Sequence, residues 1–274
     1  MSKKTTGLKR NTIDKFYTNS NVVKECLKLI KNNINIADND LCIEPSAGNG
    51  SFIPEIKENF NNYKFYDIEP EHNDIRKQDY LELDFSNILE NYDNIHIIGN
   101  PPFGRQSSMA IKFIKKSCQF CNSISFILPK SFKKESLKKH FPLSFHLVYE
   151  YELPENSFTV NDTMYDVPCV FQIWVKKPNN RTIPVKLEPK NFKFVKKDDK
   201  PDISFRRVGI YAGNIDTQIE NKSEQSHYFI KFDYELDDDL LQKLSGIKFE
   251  NKNNTVGPKS ISKQELIKEF IVFT

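Results

Sequence analysis

Asp40-Leu-Cys-Ile-Glu-Pro-Ser-Ala-Gly-Asn-Gly50 opens on an apolar run and breaks into small residues, and Ile95-His-Ile-Ile-Gly-Asn-Pro-Pro-Phe-Gly104 repeats that layout. A short, unbroken apolar run reads as a strand buried on both faces, and the Gly/Pro break after it reads as a strand-to-helix turn. Working outward, apolar residues fall at helical spacing from Ser20 to Asn32 through Val22, Val23, Cys26, Leu27 and Ile30, with Ser20 or Asn21 as the cap. Helices are also predicted over 52–59 and 109–118, and strands over 64–67, 123–128, 145–151 and 169–175. Short apolar strands alternating with helices specify an α/β fold with a doubly wound, mostly parallel sheet. Ligands of such sheets lie beyond the carboxyl ends of the strands, so loops 44–50 and 99–104 are predicted to share one edge.

A chain of 274 residues holds one large domain and a modest appendage. The pattern predicts a flexible arm over 1–12, a principal domain over 13–180, and a small α+β extension over 181–274 with a terminal helix near Lys263–Phe270. With 38% hydrophobic and 28% charged residues, a soluble globular protein is expected. A net charge of +3 and a pI near 8.4 permit nucleic-acid binding through a local patch without requiring it. The five cysteines are odd in number and scattered, which suits reduced thiols. Cys118 and Cys121 have no second pair with which to hold zinc, and the five histidines are dispersed, so no metal site and no Ser-His-Asp arrangement is predicted. The N-terminus has no signal-peptide pattern and no run reaches membrane-spanning length, so an intracellular protein, cytoplasmic or nuclear, is expected. The oligomeric state is left open.

In the first loop, Gly48 and Gly50 allow a sharp turn and close approach of a ligand to the backbone. Asp67, at the end of the second strand, is placed to accept hydrogen bonds from ribose hydroxyls, Ile68 to lie on an adenine face, and Asp79 to accept from an adenine amino group. Taken singly, each of these acids also reads as an ordinary surface carboxylate. In the second loop, Pro101 and Pro102 hold the chain extended. The Asn100 carboxamide oxygen and the Pro101 carbonyl then become two fixed acceptors, suited to an amino group with two hydrogens. An aromatic amine is a poor nucleophile because its lone pair is delocalised. Accepting both protons favours a more tetrahedral nitrogen and aims the lone pair at an electrophile. Phe103 offers a face on which a planar substrate can stack; a proline turn with Phe103 in the core is the plainer reading.

Together these motifs resemble the amino-methyltransferases of the class I Rossmann-like fold, in particular the N6-adenine methyltransferases, over about residues 13–176. The resemblance implies S-adenosyl-L-methionine as cofactor. It makes Glu44, Pro45, Ala47, Gly48 and Gly50 the cofactor loop, Asp67 and Ile68 the ribose and adenine contacts, and Asp79 with Tyr80 the adenine end. Asn100, Pro101, Pro102 and Phe103 become the catalytic motif, with Asn100 also facing the cofactor. Lys15-Phe16-Tyr17-Thr18 is similar to an additional N-terminal cofactor motif. The implied reaction is methyl transfer to adenine N6 in RNA or in single-stranded or duplex DNA. The alternatives are a protein glutamine N-methyltransferase and a catalytically silent nucleic-acid-binding subunit.

Lysines 112, 115, 116, 130, 133, 134, 138 and 139 form a cluster nearly free of acids in sequence, which either tracks phosphates or is a solvated helix face. Lys130 is taken as a substrate contact. Phe158 is assigned to a lid that stacks on the base, and Arg206 and Arg207 to a second nucleic-acid contact.

Overall fold

Leu41–Glu44, Ile95–Gly99 and Ser123–Pro129 are buried at every residue and form the centre of a seven-stranded sheet. The computed structural model describes residues 16–273 except 90, 161 and 162; the predicted arm and Lys15 lie outside the described residues. Two compact units meet in sequence between Ile183 and Pro184.

The first unit opens with β1 (Tyr17–Thr18), α1 (Ser20–Asn33), β2 (Leu41–Glu44), α2 (Ile53–Asn59), β3 (Asn62–Asp67) and β4 (Arg76–Lys77). Next come α3 (Ser86–Leu89), β5 (Ile95–Gly99), α4 (Ser108–Ser117), β6 (Ser123–Pro129) and α5 (Glu135–Lys138). It closes with β7 (Phe145–Glu152), β8 (Phe158–Val160), β9 (Thr163–Tyr165) and β10 (Cys169–Lys176). The large sheet runs in the order β4-β3-β2-β5-β6-β10-β7. Strands β2 to β6 are parallel, whereas β10 runs antiparallel to both of its neighbours. Strand order reverses between β2 and β5, which is where such sheets open a crevice.

Side chains alternate across the sheet, so Cys42 and Ile98 join one apolar cluster while Leu41, Ile43 and Ile97 join the other. Helix α1 covers the first face with Val22, Val23, Cys26, Leu27, Leu29 and Ile30. Its cap is Asn19, one residue before the predicted Ser20 or Asn21, because the Asn19 side chain accepts from the Asn21 N–H at 3.0 Å. Helix α4 covers the second face with Ala110, Phe113 and Ile114. A separate three-stranded sheet, β1-β8-β9, sets Thr18 opposite Phe158 and was not foreseen from sequence. All five cysteines are free and buried. Among the described residues, no helix is long and apolar enough to cross a membrane.

The second unit contains β11 (Phe192–Val195), β12 (Ile203–Arg206), β13 (Ile215–Asp216) and β14 (His227–Phe232), followed by α6 (Asp238–Ser245) and α7 (Lys263–Phe270). Its sheet is antiparallel in the order β11-β14-β12-β13. A capping box starts α7: the Ser262 hydroxyl oxygen accepts from the Glu265 N–H, and the Glu265 carboxylate accepts from the Ser262 N–H. Phe192, Phe205, Ile230 and Phe270 fill the core of this unit.

At the amino-terminal edge of the large sheet the structure joins three residues that sequence reading had left apart. His96 Nε2 lies 3.0 Å from Asp40 Oδ2, and its Nδ1 lies 2.7 Å from Ser123 Oγ. All three are buried, and the Asp40 carboxylate also accepts from Asn94 and from the Ala37 N–H. None of the three lines the cavity described below, so this Ser-His-Asp chain joins strands and has no access to a substrate. Burial is the main influence on His96 and lowers its pKa below 6.5, against the opposing pull of Asp40. The unfolded chain therefore takes up a proton below about pH 6.5 that the folded chain resists, so the stability that neutral His96 provides is present above that pH and lost below it. Asp40 adds a loss at lower pH still. Burial raises its pKa, but the Ala37 N–H, His96 and Asn94 together hold it below 3.8, so its contribution disappears as pH falls through that lowered value. The melting temperature is expected to fall between about pH 7.5 and pH 5.5, and to fall less in His96→Gln. Equal slopes in a calorimetric pH series would refute this role.

Candidate active site

A cavity of about 390 Å³ lies beyond the carboxyl ends of β2, β3 and β5. Both loops singled out from the sequence contribute to it, because β2 and β5 are paired neighbours that run in the same direction. Glu44, Pro45, Ala47 and Gly48 form one wall, and Asp67 with Ile68 forms the next. The Asp67 carboxylate ties these walls together: Oδ2 accepts from the Gly48 N–H and Oδ1 from the Glu69 N–H, each at 2.8 Å. Ile68 is 62% exposed and presents an apolar surface beside these polar groups. Asp79 caps a short helical turn by accepting from the Leu81 N–H at 2.9 Å, and its Oδ2 has no hydrogen-bond partner among the described residues.

Asn100 enters the cavity from the end of β5. Its amide nitrogen donates to the Phe16 carbonyl at 3.0 Å and to Thr18 Oγ1 at 3.3 Å. Two acceptors on the nitrogen side fix which way the carboxamide points. The opposite atom, Oδ1, is buried and has no partner among the described residues, and the same is true of Glu44 Oε2. Leaving such an acceptor unsatisfied costs about 1–3 kcal/mol, a cost that an incoming donor removes. Burial, and after it the charge of Asp67, pushes the Glu44 carboxyl well above the usual carboxylate range. The site thus offers a positioned neutral acceptor beside a buried acid.

The N-terminal segment does more than sequence reading assigned to it. Tyr17 donates its hydroxyl proton to the Glu71 carboxylate, 2.7 Å and 2.8 Å from its two oxygens. The Tyr17 ring packs against Gly48 so closely that a Cβ there would lie only 3.3 Å from it, so the missing side chain lets a ring of the protein itself approach. Gly48 and Gly50 both have positive φ, at 52° and 84°, which a tight turn needs. Ser46 donates to the Asn100 carbonyl at 3.3 Å, tying the two loops together. Neither Ser46 nor Glu71 was singled out from sequence; Ser46 lay inside the quoted loop, whereas Glu71 carried no motif. Directly after the Asn-Pro-Pro-Phe run, Gly104, Gln106 and Ser107 have φ of 67°, 54° and 62°. Two consecutive non-glycine residues in the left-handed region store strain beside the motif.

Other expectations need correction. Pro102 lines the cavity, but Pro101, Phe103 and Gly50 do not. Phe103 is half-buried and packs against the core, nearer the plainer reading of it. The Tyr80 ring stacks on Phe113 and its hydroxyl is engaged with Ser117 at 2.7 Å, so it contributes only wall. Phe158 is fully buried, edge-on to Phe16 at 6.3 Å, because pairing of β1 with β8 folds it inward; as it stands it cannot stack on a base. Lys130 is paired with Glu152 at 2.8 Å, Lys133 also reaches Glu152, and Lys138 lies 3.9 Å from Glu150. The acids missing from the lysine-rich sequence arrive from β7, so that part of the cluster is neutralised. Lys116 lies over the Phe85 ring. Arg206 is spent internally on the Val208 carbonyl and Ser226, and Arg207 on the Gln225 carbonyl and the Tyr228 ring.

A seven-stranded sheet with one reversed strand inserted before the last, and a glycine loop at its switch point, is the fold of the class I, S-adenosylmethionine-dependent methyltransferases. Residues 37–179, just over half of the chain, match the EDM2 methyltransferase-like domain, and the chain belongs to that family. No curated protein matches it. Among solved structures it is similar to a candidate RNA methyltransferase from Pyrococcus horikoshii, with 14% identity and a TM-score of 0.46 over 64% of this chain and 93% of that one. A type I restriction-modification methyltransferase subunit from Streptococcus thermophilus gives 14% and 0.45 over 62% and 46% of the two chains. A candidate class I methyltransferase from Listeria monocytogenes gives 14% and 0.44 over 64% of each.

Proposed function

We propose that this protein transfers a methyl group from S-adenosylmethionine to the N6 amino group of adenine in a nucleic acid. The observation that carries this reading is the fixed, buried Oδ1 of Asn100, without a partner among the described residues, beside a cavity lined by carboxylates. The cavity suits the cofactor. Asp67 is available to ribose hydroxyls, Ile68 to a purine face and Asp79 Oδ2 to an amino group, while buried Glu44 gains a favourable neighbour when a cationic ligand arrives. When bound, S-adenosylmethionine supplies an electrophilic methyl group on a sulfonium.

The protein's own contribution is positioning. Asn100 Oδ1 accepts an N–H of the amine and turns the nitrogen lone pair toward the methyl. A neutral amide suits this better than a strong base, since the amine loses its proton only after attack. Because Oδ1 is screened from solvent, the base enters with a local rearrangement, and the strained Gly104–Ser107 segment is positioned to supply it.

The test is transfer of tritiated methyl to single-stranded RNA, single-stranded DNA, duplex DNA and protein extract, with the modified product identified by mass spectrometry. N6-methyladenine is the expected product, and it also decides between RNA and DNA. Label confined to protein glutamine would overturn the reading.

A further inference from the structure

The loop joining β12 to β13 holds Ile210 and Tyr211 at its tip, 82% and 67% exposed. These side chains are presented rigidly. The Gly209 N–H donates to the Lys259 carbonyl at 2.9 Å, the Ala212 N–H to the Gly209 carbonyl at 3.0 Å, and the Gly213 N–H to the Arg206 carbonyl at 2.8 Å. Val208 bridges Ser260, and the Ile261 N–H donates to the Arg207 carbonyl, so residues 206–214 are joined to the segment around 252–263. An ordered loop that holds an aromatic and a branched aliphatic side chain in water meets no internal packing need, and its ordering cost is already met before any partner arrives.

The charge around the tip is mostly positive. Lys259 is exposed next to Ser260, which is bridged to the loop, and Lys252 reaches the Ala212 carbonyl at 3.4 Å. Arg207 and Lys263 lie over the Tyr228 ring at 5.5 Å and 5.8 Å. Of the acids on these segments, Glu265 has its carboxylate engaged by the Ser262 N–H in the cap of α7, which leaves Glu250 as the exposed one. An exposed tyrosine on a loop flanked by Lys259, whose carbonyl holds the Gly209 N–H, and by Lys252, beside Ala212, offers a stacking face and cations matched to the bases and phosphates of a single nucleic-acid strand.

We propose that the second unit carries a docking surface for single-stranded nucleic acid, with Tyr211 stacking on a base and Lys259 and Lys252 following the backbone. The proposal rests on the reading of nucleic acid as the methyl acceptor. It reassigns the contact expected of Arg206, which is structural, to residues that sequence reading passed over.

The test measures fluorescence anisotropy of labelled single-stranded RNA and DNA with the full chain and no cofactor. Tyr211→Ala is expected to weaken binding roughly tenfold and Tyr211→Phe to restore it. Lys259→Ala is expected to lower the slope of log affinity against log salt by about one. Melting temperatures should stay at the wild-type value, because both side chains are exposed. Wild-type affinity in both alanine variants would overturn the proposal, as would failure of the native chain to bind either strand. Tyr211-dependent binding to phosphatidylserine vesicles in place of oligonucleotides would overturn it too. Binding through Tyr211 without formation of N6-methyladenine would sink the proposed reaction and leave the surface. N6-methyladenine formed while Tyr211→Ala binds normally would sink the surface alone.

Discussion

Asn100→Ala is expected to keep S-adenosylmethionine affinity within about twofold of wild type and to cut single-turnover methyl transfer at least about a hundredfold. The two effects separate because of how Asn100 is held. Its nitrogen faces the protein, on the Phe16 carbonyl and Thr18, and its oxygen has no donor among the described residues. Removing the side chain leaves the Asp67, Ile68 and Asp79 side of the cavity intact. What is lost is an acceptor already oriented before the amine arrives, and groups of this kind contribute roughly 3–4 kcal/mol to a barrier. Equilibrium dialysis of cofactor, paired with rapid-quench transfer to an adenine-containing oligonucleotide, measures both quantities on one preparation. Equal transfer rates would remove Asn100 from the reaction.

Asp67→Ala is expected to act the other way, weakening cofactor affinity roughly ten- to a hundredfold by calorimetry, in line with losing a charged hydrogen-bonding group. Part of this loss is indirect. Asp67 Oδ2 holds the Gly48 N–H, so its removal frees the glycine loop as well as a ribose acceptor. Asp67→Asn keeps an acceptor without the charge and should fall between the two. A binding isotherm that matches wild type in the alanine variant would exclude Asp67 from the site.

The sheet was legible because its central strands are buried on both faces and therefore read as short, mostly apolar runs. The loops were legible because glycine and proline restrict backbone conformation whatever surrounds them. Contacts made across long stretches of chain were not. Nothing near Lys130 and Lys133 in sequence announces Glu150 and Glu152, which reach them only because β7 folds back alongside. Phe158 read as a lid residue able to stack on a base because three-residue strands such as β8 and β9 are too short to show alternation, so its pairing with β1 had no signature. The Asp40, His96 and Ser123 chain was equally hidden, since its members sit on three different strand starts. Arg206 and Arg207 looked free because their acceptors are mostly backbone carbonyls, which carry no sequence identity.

The reversed strand β10 has a consequence for how the chain matures. It forms hydrogen bonds with β6 on one side and β7 on the other, yet it is the last strand of its sheet to leave the ribosome. Until residues 169–176 emerge, the edge of β6 stands open and β7 has no neighbour to join. The nascent chain therefore passes through an interval with a long, mostly apolar edge uncovered, the kind of surface to which other chains adhere. Arrival of one eight-residue segment ends that exposure and completes the sheet in a single step.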